Sequence, residues 1–104
     1  MKTTTHVHSN YFISKHMSEV LESSIFTPHR DTDNNEGDLF VKFVSGKTYF
    51  YPRVRTATFI GLILADSVGR YFNANIRHLE GRDVTENTAM VEAVENLKRV
   101  TVYA

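Results

Sequence analysis

A chain of 104 residues, 41% hydrophobic and 23% charged, has the size and composition of one globular domain and can bury a core without metal or disulfide staples. Its 12 basic and 12 acidic residues cancel, so net charge gives no argument for a nucleic-acid partner. The absence of cysteine excludes disulfides, zinc-thiolate sites and thiol catalysis, and fits a reducing compartment.

Residues 1–16 are rich in Thr, Ser, Asn and His with little periodicity, and read as a loose amino-terminal arm carrying at most one strand, at 10–13. The first residues are polar and the longest apolar run, 59–65, is too short to span a bilayer, so the expectation is a cytoplasmic protein with no membrane partner. His6 and His8 fall on one side of an extended chain, but a structural zinc site needs two further ligands. No metal and no cofactor is expected. A short helical or extended piece at 18–21 leads into Ser23-Ser24-Ile25-Phe26-Thr27, a strand stopped by Pro28.

The run 30–38 concentrates turn formers. Within it Asp31, Asp33 and Asn35 copy the start of a calcium loop, but Glu36 stands where that loop requires Gly and Lys42 where it requires a bidentate Glu, so the match fails. His29 reads as a solvated turn residue. Residues 39–44 form the strongest strand, with Leu39, Val41 and Phe43 on one face, and Ser45-Gly46-Lys47 turns the chain into Thr48-Tyr49-Phe50-Tyr51, a hairpin closing at Pro52.

The period then changes from two to 3.6, predicting a helix over 56–66. Gly69 is placed at a left-handed helix end, a second short helix covers 70–77, and a third covers 84–97, with Thr85 as its N-cap and Met90, Val91, Val94 and Leu97 on its apolar face. Residues 100–103 could add an edge strand. The fold class is therefore α+β: a small antiparallel sheet of three or more strands with helices packed on one face. No linker divides the chain, so one domain spans 1–104.

Charge is unevenly distributed. Between Met17 and Asp38 six acidic residues face Arg30 alone, whereas between Gly46 and Arg82 six cations (Lys47, Arg53, Arg55, Arg70, Arg77, Arg82) face Asp66 and Glu80. Five of the six are Arg, which favours bidentate contact with phosphate or carboxylate. The opposing reading is a solvated face whose cations pair with the acidic stretch.

Along the hairpin strand Lys47, Tyr49 and Tyr51 project to one side, and Thr48 and Phe50 to the other. If Phe50 lies in the core, the two tyrosines and Lys47 form a basic, aromatic surface suited to stacking on unpaired bases. If the tyrosines pack on the helix instead, only their hydroxyls emerge. Ser67, Gly69, Arg70, Asn73 and Arg77 surround the start of the second helix, where free N–H groups and the dipole favour an anion. Against this, Ser67 could serve only as a cap and Asn73 only to satisfy backbone. No glycine-rich phosphate loop, nucleophile elbow or carboxylate pair is present, so no catalytic residue is assigned and the expectation is a protein that is not an enzyme.

The order Ser23-Ser24-Ile25, acidic turn, Leu39-Phe40-Val41-Lys42-Phe43, Gly46, Tyr49-Phe50-Tyr51, Val54, Phe59, Leu62, Ala65, Ser67, Gly69-Arg70-Tyr71-Phe72-Asn73 and Ile76-Arg77 resembles the KTSC domain. That domain is known as a stand-alone bacterial and phage protein and as an appendage at the carboxyl end of some lysyl-tRNA synthetases. The resemblance covers about 23–81, leaving an arm at 1–22 and an extension at 82–104; the long acidic turn with Arg30 departs from the family pattern. It implies an RNA-binding module. Together with the residues it supports a small non-catalytic binding module for RNA or nucleotide phosphate, acting through Lys47, Tyr49, Tyr51, Arg53, Arg55, Ser67, Arg70, Asn73 and Arg77. The alternatives are a phage or mobile-element protein that sequesters a nucleotide signal in a pocket or inhibits a host protein, and a protein–protein interaction domain; a homo-oligomer is compatible with each.

Overall fold

The computed structural model describes residues 3–8 and 10–100. Its framework is one antiparallel sheet of six strands in sequence order: β1 (Thr3–His8), β2 (Tyr11–His16), β3 (Leu21–Pro28), β4 (Glu36–Phe43), β5 (Thr48–Arg55) and β6 (Arg82–Asp83). Between β5 and β6 lie helices α1 (Thr56–Leu64) and α2 (Val68–Asn75), and α3 (Thr88–Val100) follows β6. Each strand pairs with the next, so the whole sheet is a meander.

The sheet's two faces follow from the period-two alternation of its strands. On one face Phe12, Phe26, Leu39 and Tyr51 stand opposite one another across β2 to β5, and α1 and α2 cover them with Phe59, Leu62, Val68, Phe72 and Ile76. Phe26 stacks on Phe59 at 4.5 Å and 7°. On the other face Ile13, Ile25 and Phe40 stand opposite one another, and α3 lays Val94 and Leu97 over them. The expected helical layer on one face is α1 with α2, and α3 adds a cover on the opposite face. It is tied there by Lys42, whose Nζ lies 3.6 Å from Glu95 and 3.8 Å from Glu22.

The amino-terminal segment read as a loose arm is the hairpin β1–β2, paired from Thr3↔His16 to His8↔Tyr11. Its polar residues disguised it because they satisfy one another on the strand face. Buried His16 sits between Thr3 Oγ1 on Nδ1 and Ser24 Oγ on Nε2, both at 2.8 Å, and Thr5 Oγ1 lies 3.0 Å from Ser14 Oγ.

Strand β5 does not close at Pro52. The pairing shifts between Gly37 and Leu39, and Arg53 takes a left-handed φ of 58°. This extra residue explains why Tyr51 and Val54, three apart, both reach the core. Proline suits the bulge because it has no ladder N–H to lose. Other boundaries move as well. His29 pairs with Asp38, Nε2 to Oδ1 at 2.9 Å, and residues 30–32 form a 3₁₀ turn ending in left-handed Asp33 and Asn34. Gly69 is not a helix end: Ser67 caps α2 by accepting from the Arg70 N–H, which puts Gly69 in the first turn. Likewise α3 is capped by Asn87 Oδ1, which accepts from the Met90 N–H, while Thr85 bonds the backbone of Thr48. Of the edge strand expected at 100–103, Val100 ends α3, and residues 101–103 lie outside the described residues. Among the described residues no helix is long and apolar enough to cross a membrane.

Candidate functional site

Tyrosines 49 and 51 point to the face covered by α1 and α2, and Phe50 points away from it, tilted on Phe40 at 4.7 Å with the Arg82 guanidinium 5.7 Å above its ring. The tyrosines are therefore core-facing, not an open platform. Tyr51 is only 5% exposed and Tyr49 is half-buried. Their rings lie 6.2 Å apart at 20°, and perpendicular contacts bind them into a cluster: Phe43 with Tyr49, Phe43 with Phe72, and Tyr51 with Phe72.

The outer edge of this cluster forms the floor of a cleft of about 430 Å³. Ser45 and Lys47 enter it from the β4–β5 turn, whose Gly46 has φ 101°, a conformation that a β-carbon disfavours. Asn73 and Arg77 enter from the carboxyl end of α2. The Phe72 carbonyl accepts from both the Ile76 and the Arg77 N–H, so the chain leaves the helical path at that point. Beneath the floor, the loop to β6 brings Gly81 against the ring of Tyr51.

The electrostatics come from side chains and not from a helix dipole. The cleft lies at the carboxyl end of α2, where the dipole disfavours anions, so any anion held there depends on Lys47 and Arg77. Among the described residues neither cation forms an ion pair. Burial and the neighbouring Tyr49 push the Tyr51 hydroxyl above its ordinary pKa, opposed by the charge of Arg77. At neutral pH Tyr51 is therefore a neutral hydroxyl able to donate. Asp83, paired with Tyr49 at the sheet edge, accepts from the Thr85 N–H; hydrogen bonding from the Thr85 side chain, then from its N–H, and the nearby charge of Lys47 hold its carboxyl below the usual range.

Five of the nine residues singled out from the sequence meet here: Lys47, Tyr49, Tyr51, Asn73 and Arg77. The other four do not. Arg53, at the bulge, lies 3.7 Å from Glu36, so one part of the acidic stretch does neutralise one central cation. Arg55 lines a different cleft with Asn35, Glu36, Thr56 and Ala57. Ser67 is the α2 cap, and Arg70 is exposed in the first turn of that helix, outside the aromatic cleft. Sequence reasoning missed Phe43 and Phe72 as floor and Ser45 as rim; the signal for Phe43 was its position flanking the same tight turn as Lys47.

The family model of the KTSC domain matches residues 31–79, a segment that runs from the acidic turn through β4, β5, α1 and α2. All the residues that line the cleft fall within it. No curated protein matches the chain.

Proposed function

We propose that this chain, which belongs to the KTSC domain family through residues 31–79, is a small non-catalytic module that binds a phosphate-bearing nucleotide group, carried by RNA or free, in the cleft beside Lys47 and Arg77. The observation that carries this reading is the meeting of two unpaired cations with an aromatic floor in one concave site. The cations attract and orient phosphate, Arg77 through its two-pronged donor face and Lys47 as a point charge. The exposed part of Tyr49 offers a ring for a base, and the Asn73 amide and the Ser45 and Tyr51 hydroxyls offer hydrogen bonds. A cleft, in place of an open basic groove, favours the capture of a small nucleotide group over a long strand lying flat on the sheet.

The test is fluorescence anisotropy with a labelled single-stranded RNA, together with displacement by mononucleotides, at low salt and as salt is raised. Saturable binding that weakens with salt and is lost in the Lys47→Ala, Arg77→Ala double variant is the expected result. No binding of either probe by the folded protein overturns the reading and leaves a protein-interaction role.

A further inference from the structure

We infer that the cleft accepts one nucleotide through a terminal phosphomonoester, either the end of an RNA strand or a free nucleoside monophosphate, in preference to the interior of a strand. This rests on the phosphate-binding reading above and narrows it.

Size is the first argument. At about 430 Å³ the cleft lies near the lower end of the ~300–1,000 Å³ typical of small-molecule sites, room for one base with its sugar and phosphate. The aromatic floor agrees, since Tyr51 is almost wholly covered and Tyr49 is the floor tyrosine left only partly buried, which gives one tyrosine ring for one base.

Charge is the second. Proteins that hold the interior of a strand use a positive groove that follows the backbone over several nucleotides. Here the central cations do not form one: Arg53 pairs with Glu36, Arg55 lines another cleft, and Arg70 lies outside the site. Beside Lys47 stands the exposed carboxylate of Asp83, fixed by the Thr85 N–H at 2.9 Å. A strand continuing over the sheet edge would bring successive phosphates toward that carboxylate, whereas a ligand that ends in the cleft need not.

Stoichiometry is the third. A phosphomonoester carries close to two negative charges at neutral pH and three acceptor oxygens, whereas an internal phosphodiester carries one charge. Two cations, Lys47 partly offset by Asp83, and the Asn73 amide favour the doubly charged monoester over a singly charged diester. Lys47 and Arg77 are both exposed, so their replacement leaves the core intact.

Calorimetric titration decides the matter, with the four nucleoside 5′-monophosphates and their 3′ isomers, the parent nucleosides, inorganic phosphate, and one short RNA prepared with a 5′-phosphate, a 3′-phosphate or neither. A mononucleotide is expected to bind at least about tenfold more tightly than its nucleoside, and Lys47→Ala or Arg77→Ala to remove most of that difference. Equal binding of the mononucleotide and the end-phosphorylated RNA supports the inference and identifies the strand end as the source; binding of the mononucleotide alone supports it and identifies the free nucleotide. If unphosphorylated RNA binds as well as the phosphorylated forms and gains with length, the inference falls while the binding function stands. Inorganic phosphate binding as tightly as any nucleotide overturns the nucleotide part. Failure of every probe overturns both readings.

Discussion

Tyr51 packs the side of its ring against the backbone of Gly81, so closely that a β-carbon at Gly81 would lie 2.2 Å from Cε1 and 2.5 Å from Cδ1 of that ring. The contact joins the loop before β6 to the floor of the cleft. Tyr51 has little space in which to retreat, because Phe72 and Tyr49 pack against its ring and the residue is 5% exposed. Gly81→Ala should therefore overpack the site and destabilise the fold by about 1–3 kcal/mol. Urea denaturation of the variant reads this directly, and an unchanged midpoint would contradict the packing described.

Leu62 is fully buried where α1 meets the sheet. Leu62→Ala deletes apolar volume that the rigid aromatic neighbours cannot refill, and should cost about 2–5 kcal/mol. Ile60→Ala on the same helix is the control: Ile60 is 45% exposed, and its loss should cost clearly less. Equal effects at the two positions would mean that α1 presents a different face to the sheet.

His16 makes stability depend on pH. Burial lowers its pKa from 6.5 to about 4, so the folded protein holds the ring neutral between Thr3 and Ser24. With the folded pKa depressed, the unfolded chain takes up the proton first as pH falls. The stabilisation is thus complete above about pH 6.5 and is lost progressively between there and about pH 4, by roughly 3 kcal/mol in all. Denaturation at pH 7.5, 6, 5 and 4.5 tests the sign, and His16→Gln should flatten this part of the profile. Stability that rises toward acid would show the opposite sign and refute it.

Legibility from sequence tracked the strength of the local pattern. The β4–β5 hairpin, α1 and α2 were readable because alternation, a glycine turn and 3.6-residue periodicity agree between Leu39 and Arg77. The β1–β2 hairpin was not, since its inward residues on one side are Thr3, Thr5, Ser14 and His16, whose burial depends on side-chain bonds to distant partners. Pro52 looked like a strand end because nothing local announces a bulge at Arg53. Half of the site was readable for the same reason. Lys47, Tyr49 and Tyr51 share a side by strand geometry, but whether that side is solvent or core is decided by α1 and α2. The placement of Arg77 apart from Arg70 follows from the way α2 ends, which residue spacing on an ideal helix does not express.

The arrangement of cations gives a prediction that a diffuse basic surface would not. Under a non-specific electrostatic reading, each of Lys47, Arg53, Arg55, Arg70 and Arg77 would contribute about one phosphate contact to the salt dependence of binding. Of these five, only Lys47 and Arg77 border the aromatic cleft. Alanine at either should weaken nucleotide binding by about tenfold or more, the loss of a charge-assisted contact, and should lower the slope of log affinity against log salt. Alanine at Arg53, Arg55 or Arg70 should leave affinity within about twofold. Tyr49→Ala should lose about 1–3 kcal/mol of binding and Tyr49→Phe much less, because stacking uses the ring. Tyr51→Phe reads a different quantity: it keeps the aromatic floor and removes only a neutral donor, so its effect reports whether that hydroxyl reaches the ligand. Anisotropy titrations on the eight single variants, each first shown to unfold at its expected denaturant concentration, separate the cases. Equal losses at all five cations would mean that binding is spread over the surface, and the cleft would then have no privileged role.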